Sequence, residues 1–232
     1  MSGFPSPQIM KICATSDTHG HFPEIPDCDI LCVCGDITPV NQSHNKHHQT
    51  KWFNEFYVPW IKALKCQVVV IPGNHDFLFG SHNLKYVDTS PENFHLLIDA
   101  GCEINGLKFY GSPWVTGLNG WAFNTNKQKE YFSSIPEGVD VLITHSPPRV
   151  VGIDIDTSLG DVHHGGSRPH WGSFALTTEI ETKKPKYCLF GHIHTGLHTP
   201  VKYNDTTLIN VSYLNESYLP EFPPIIFDIN NK

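Results

Sequence analysis

The sequence predicts an α/β fold, on three observations. Short apolar, β-branched runs recur along the chain. Longer segments with helical periodicity fall between several of them. Five of the runs each end in a polar cluster, the pattern of strands whose C-terminal loops carry function. No internal repeat, low-complexity linker or charge block interrupts this order, so all 232 residues are read as one domain, 1–232. A chain of that length can bury a substantial core.

The predicted buried strands are Ile9 to Thr15, Ile30 to Cys34, Val68 to Ile71, Val139 to Thr144 and Tyr187 to Phe190. The clearest helix runs from Gln49 to Leu64, where Trp52, Phe53, Phe56, Trp60, Ile61 and Leu64 make one broad apolar stripe. Pro59 inside it should kink or split the helix. Asn126 to Ser134 and Ser173 to Lys184 are further helices, with Asn126 and Ser173 placed as N-caps. Glu103 to Tyr110 and Thr206 to Val211 read as hairpin strands turned by Asn105-Gly106 and Asn204-Asp205. The tail from Leu219 to Ile229 is broken by prolines and then apolar, which suits a late edge strand.

Composition narrows the function. Charged residues make up only 17% and the formal charge is −7, so the bulk surface should not hold a polyanion and a nucleic-acid partner is disfavoured. Phosphate chemistry on such a chain needs its positive charge at one local point, which bound metal ions would supply. The 15 histidines nearly equal the 16 Lys and Arg, a further pointer to metal. Of the seven cysteines, Cys13, Cys32 and Cys34 sit in strand-like runs and read as reduced, buried thiols. Cys32 and Cys34 share a strand face and lack zinc-site spacing, so core packing is the expected role. The chain shows no basic-then-apolar leader and no apolar run near the roughly 20 residues of a membrane span. The expected setting is the cytoplasm, with no membrane partner.

The polar clusters are Asp17-Thr18-His19-Gly20-His21, Gly35-Asp36, Gly73-Asn74-His75-Asp76, Thr144-His145-Ser146-Pro147-Pro148 and Gly191-His192-Ile193-His194. Each has an ordinary reading when taken singly: a helix cap, an Asx turn, a solvated strand end. All five following strands in one sheet-like order would bring them to one crevice. Two Asp, one Asn and four His are oxygen and nitrogen ligands of the kind Mn²⁺, Fe or Zn²⁺ accept. They exceed the needs of one tetrahedral ion and suit two ions sharing a bridging carboxylate.

This set of motifs resembles the calcineurin-like metallophosphoesterase superfamily. The runs Phe109-Tyr110-Gly111-Ser112-Pro113-Trp114 and Thr144 to Pro148 look like its 239FB-like branch of metallophosphoesterase domain-containing proteins. The resemblance implies a four-layer α/β/β/α sandwich with two mixed sheets and a dinuclear metal site at the strand C-terminal ends. It further implies that Asp17, His19 and His194 hold one ion and Asn74, His145 and His192 the other, with Asp36 bridging. His75 would face the leaving group as the catalytic acid, and Asp76 would either orient His75 or serve the turn. Some members of the branch lack the first His of the last motif; this chain keeps His192. Protein phosphatases extend the second motif with Asp-Arg-Gly, whereas Gly35-Asp36 here runs into Ile37-Thr38-Pro39, which argues against a protein-phosphatase site.

The implied activity is hydrolysis of a small phosphate ester by a metal-bridging hydroxide, with Mn²⁺ the foremost metal and Fe or Zn²⁺ the alternatives. Two divalent ions, two carboxylates and one hydroxide leave about one net positive charge, a match for a phosphodiester anion. The resemblance to this branch, with few visible cations to hold a dianion, makes small or cyclic nucleotide-type diesters the expected substrates. A broad phosphomonoesterase and a non-catalytic, metal-stabilised binding protein are the alternatives. Asn74, Arg149 and Arg168 are the candidate phosphate contacts, because guanidinium and amide groups suit phosphate oxygens. Trp114, Trp121 and Trp171 either wall a base pocket or pack in the core. The cluster His44-Asn45-Lys46-His47-His48 is read as a solvated loop rather than a second metal site.

Overall fold

The computed structural model describes residues 9–155 and 170–231. Its two sheets grow from the runs that the sequence marks as strands. In the first sheet, β1 (Ile9–Thr15), β2 (Ile30–Val33), β3 (Gln67–Val70) and β4 (Phe94–Leu96) lie parallel in that order. The late strand β11 (Ile225–Asn230) closes the edge antiparallel to β1, as expected for the tail. The second sheet runs β5 (Ala100–Ile104), β6 (Leu107–Ser112), β7 (Val141–Thr144), β8 (Tyr187–Phe190), β10 (Thr206–Asn210) and β9 (Val201–Tyr203). Strands β6, β7, β8 and β10 are parallel, and β5 and β9 are antiparallel hairpin partners at the two edges. Asn105 (φ 51°) and Gly106 (φ 80°) both take left-handed backbone, which a two-residue hairpin turn of this hand requires.

The central strands are buried on both faces, and this sets the layers. Ile12, Ala14, Cys32 and Val69 point from the first sheet onto Phe109, Val141, Ile143 and Leu189 of the second. The opposite face of the first sheet, with Cys13, Leu31, Val33 and Val68, packs on the helix built from α1 (Lys46–Trp52), the turn Phe53–Tyr57 and α2 (Val58–Ala63), through Phe53, Tyr57 and Ile61. The outer face of the second sheet, with Leu142, Cys188 and Leu208, packs on α3 (Gln128–Phe132) and α4 (Phe174–Lys183) through Phe132, Leu176 and Ile180. The result is the α/β/β/α sandwich. Cys32 and Cys34 pack in the inter-sheet core, and all seven cysteines are free thiols.

Three expectations need correction. The long helix does not break at Pro59. It continues through one π turn at Phe53–Tyr57, directly before the proline, whose missing N–H and bulky ring a wider turn accommodates. The inserted residue rotates the apolar stripe, so Tyr57, Val58 and Ile61 face inward while Phe56 is left exposed. The helix also begins earlier, at Lys46. Asn45 accepts a hydrogen bond from the His48 N–H, which turns the presumed solvated loop into the first helical turn. Asn126 does not cap α3; Lys127 occupies that position, and the Thr125 hydroxyl accepts from its N–H instead. Ser173 caps α4 as expected.

Candidate metal centre

The five polar clusters meet at the C-terminal ends of β1, β2, β3, β7 and β8. Two glycines permit the close approach. A Cβ on Gly73 would collide with the Asp36 carboxylate, and one on Gly191 with the Asp17 carboxylate and the Ser16 hydroxyl. Backbone bonds lace the loops together: Asp17 N–H donates to Gly35 O (2.9 Å), His19 N–H to Asp36 O (3.0 Å) and Gly191 N–H to His145 O (3.2 Å). Four non-glycine residues in this small region take positive φ: Asp17 (51°), His19 (41°), Asp36 (53°) and His192 (72°). Such backbone is sparsely populated and persists only where the surroundings enforce it, which is a mark of functional loops.

Asp17 and Asp36 are both buried. Asp17 accepts from the His192 N–H (3.0 Å) and the Ser212 hydroxyl (2.8 Å), and its Oδ1 lies 3.5 Å from His194 Nε2. Asp36 Oδ1 accepts from the His75 N–H (2.7 Å), while its Oδ2 faces His145 (3.3 Å), His19 (3.8 Å) and His75 (3.9 Å). His145 Nε2 also lies 3.0 Å from Asn74 Oδ1, and the His192 ring sits 5.0 Å from that of His145. Sequence-distant Asp17, His19, Asp36, Asn74, His75, His145, His192 and His194 are thus brought together.

The electrostatics follow from this crowding. Burial opposes charge on both carboxylates, yet His194 and His145 hold Asp17 below the usual carboxylate range. Asp36 is held well below that range against the same burial by His145 and His75. Burial likewise opposes charge on His145 and His194, but Asp36 pushes the first, and Asp17 the second, up to about 9. Burial drives His19 and His192 the other way, to about 4, and lowers His75.

The donor set fits divalent metal. Ligand atoms of Asp17, His19 and His194 lie within 4.8 Å of one another, as do those of Asp17, Asp36 and His145. The same holds for His19, Asp36 and His75, so distance alone does not separate His75 from the candidate ligands. The imidazoles are also held as metal ligands are, with the far ring nitrogen anchored on a backbone carbonyl. His145 Nδ1 bonds Cys34 O (2.8 Å) and His194 Nδ1 bonds Asn215 O (3.1 Å). His19 Nδ1 is buried without a hydrogen-bond partner, a group that a cation nearby would help to satisfy.

His75 stands slightly apart. Its Nδ1 is 3.1 Å from the Ser43 hydroxyl, and its ring packs 4.3 Å from Trp121. Asp76 does not orient it. That buried carboxylate instead accepts from the N–H groups of Gly73 (2.8 Å), Ile37 (3.1 Å) and Thr38 (3.0 Å) and from the Thr38 hydroxyl (2.9 Å), buckling two loops together. Burial and the charge of Asp36 push it up to about 7.

The crevice over these residues has a volume of about 220 Å³ and is further lined by Leu118, Trp121, Glu216 and Tyr218. No Lys or Arg is among its lining residues in the described chain. The Arg149 guanidinium stacks 4.4 Å from the Phe174 ring instead, and Arg168 lies outside the described residues. Of the tryptophans, Trp121 reaches the crevice, while Trp114 donates to Asp99 (2.7 Å) and Trp171 is exposed. Sequence reasoning missed Ser43, Ser212, Glu216 and Tyr218. Their only unusual local feature is the positive φ of Tyr218 (57°), which holds its ring 5.1 Å from that of His19.

Comparison with known proteins agrees with this geometry. A family profile described as calcineurin-like phosphoesterase matches residues 10–196. Metallophosphoesterase domain-containing protein 1 of Homo sapiens is 29% identical over 252 residues, covering 96% of this chain and 72% of the human protein. The UPF0046 protein C25E10.12 of Caenorhabditis elegans is 30% identical, covering 95% of this chain and 81% of its own length. The crystal structure of Phosphopantetheinyl Hydrolase (PptH) from Mycobacterium tuberculosis shares the fold at 13% identity, with a TM-score of 0.54 over 90% of each chain.

Proposed function

The chain belongs to the calcineurin-like phosphoesterase family and is a metal-dependent phosphoric ester hydrolase; on that premise we propose that it acts as a phosphodiesterase on small diesters, cyclic nucleotides among them. One observation carries the choice of diester over monoester. The crevice presents buried carboxylates, imidazoles and Glu216 but no Lys or Arg among its described lining residues, so little beyond the metals is available to hold a dianion. A monoanionic diester needs less.

In this reading Asp17, His19 and His194 would hold one divalent ion and Asn74, His145 and His192 the other, with Asp36 available to both. Bound divalent ions would lower the pKa of a coordinated water and neutralise charge building on the phosphoryl group. The chain's own part is to hold these ligands rigidly. The carbonyls of Cys34 and Asn215 fix two of the rings, and the strained loops leave little room for rearrangement. His75 donates a proton from Nε2 to the departing oxygen, with Ser43 holding its Nδ1. We place Mn²⁺ first on the family resemblance; the three oxygen and four imidazole ligands also suit Fe or Zn²⁺. Residues 1–232 act as one catalytic domain in the cytoplasm.

The test is a panel of mono-, di- and cyclic phosphate esters assayed with Mn²⁺, Fe²⁺ and Zn²⁺ in turn. Faster turnover of bis-p-nitrophenyl phosphate than of p-nitrophenyl phosphate, abolished by chelator, is the expected result. A preference for the monoester would reverse the assignment.

A further inference from the structure

Beside the metal crevice lies a second and larger cavity, of about 540 Å³. Its walls are aromatic: Phe77, Phe79, Trp114, Trp121 and Phe123. Lys46 and Ser81 supply polar groups, and both are exposed. Phe79 is buried, so the back wall belongs to the core, while Phe77, Trp114, Trp121 and Phe123 are each only half-buried. Aromatic rings left half-open to water around a cavity of this size mark a ligand site more often than a packing fault.

The two cavities share a wall. Trp121 lines both, its ring packs on His75 at 4.3 Å, and the next residue, Ala122, donates its N–H to Asn74 O (3.0 Å). The chamber therefore opens beside the residue that faces the reacting phosphate. The crevice itself, at about 220 Å³, is below the range of roughly 300–1,000 Å³ in which small-molecule pockets fall. It has room for the phosphate and little of what the phosphate carries.

Resting on the diester reading above, we infer that this chamber is a substrate subsite that binds an aromatic, largely apolar ester arm of the diester. Five aromatic rings line the chamber, and the scarcity of hydrogen-bonding groups in its walls leaves the polar edges of a nucleobase without partners. The crevice and the chamber together would then read a phosphate and one apolar arm.

Phosphinates, which carry a diester's single negative charge but have carbon in place of both ester oxygens, cannot be hydrolysed and so separate binding from turnover. Calorimetric titration of the Mn²⁺-loaded protein would compare methylphosphinic acids whose second arm is 2-naphthylmethyl, methyl or (5′-deoxyuridin-5′-yl)methyl. The naphthyl phosphinate should bind at least about tenfold more tightly than either of the others, given the apolar area a bicyclic ring buries. Ser81→Trp, a substitution at an exposed position that fills the chamber, should bring the naphthyl-to-methyl ratio close to one. Phe123→Ala, which removes a wall, should lower it severalfold. Equal affinity for the naphthyl and methyl phosphinates in the unaltered protein, tighter binding of the uridine phosphinate, or a ratio unmoved in both variants would overturn the proposal. Failure of the protein to bind any of the three or to hydrolyse any diester would instead overturn the diester reading, and the chamber's role with it.

Discussion

The crevice and the chamber meet at Trp121 and differ in almost every physical respect. The crevice is small, its carboxylates Asp17 and Asp36 are buried, and its backbone is strained at Asp17, His19, Asp36 and His192. The chamber is more than twice as large and its walls are rings at ordinary backbone angles, apart from Phe123 at φ 49°. Buried charge held by strained loops tolerates no slack, because an unpaired carboxylate or imidazole in a dry site is costly. Apolar contact is non-directional and tolerates change. The contrast teaches that chemistry and selectivity are built from different materials, and that they should respond to substitution independently.

The largest test of that division is Asp36→Asn. Turnover should fall on the order of 10³-fold, at least the loss seen when one preorganised charge-stabilising group leaves an active site. Metal content, read by mass spectrometry, should fall with it. The loss should be the same for every ester arm; a loss that depends on the arm would break the separation. His75→Ala comes next, with kcat down on the order of 10²-fold and metal content intact. Unchanged kcat would remove His75 from the proton transfer, and lost metal would make it a ligand.

Asp76→Ala addresses the scaffold behind the crevice. Three backbone N–H groups lose their buried acceptor, so denaturant unfolding should show a loss of about 3 kcal/mol or more. A stable variant would show that the loops hold without this buckle. The histidines add a pH test. His145 and His194, raised to about 9, stabilise the metal-free fold below their ordinary 6.5, and this contribution disappears as the pH rises through 9. His19 and His192, lowered to about 4, contribute above 6.5 and lose that only as the pH falls. The metal-free protein should therefore melt lower at pH 8.5 than at pH 7. Added divalent metal should raise the melting temperature more at the higher pH, since ligation displaces those protons. The smallest effect should come from His47→Ala, on the helical surface: stability within about 0.5 kcal/mol and turnover unchanged.

Much of this was legible in the letters. The five buried strands, the Asn105-Gly106 hairpin and the Ser173 cap each follow from local periodicity or turn chemistry, and the structure has them where expected. The five polar clusters could be named because each is contiguous with its strand. The π turn escaped notice because Pro59 announces a disturbance without saying how the chain absorbs it. Asn126 lost its capping role to a neighbour because capping candidates one residue apart look alike in sequence. Ser212 and Tyr218 escaped because each reaches the crevice from a loop near the end of the chain, and only the second sheet's packing brings that loop across Asp17 and His19.

The sequence by itself determined the five central strands and the kinds of ligand atoms at their ends, since these depend on near neighbours in the chain. Only the tertiary structure decided that Asp36 faces three imidazoles while Asp76, equally buried, faces backbone amides. It alone decided that Arg149 stacks on Phe174 and that an aromatic chamber opens beside His75. Those outcomes depend on which distant surfaces come into contact, and a residue's charge, reach and exposure are set by that contact rather than by its own identity.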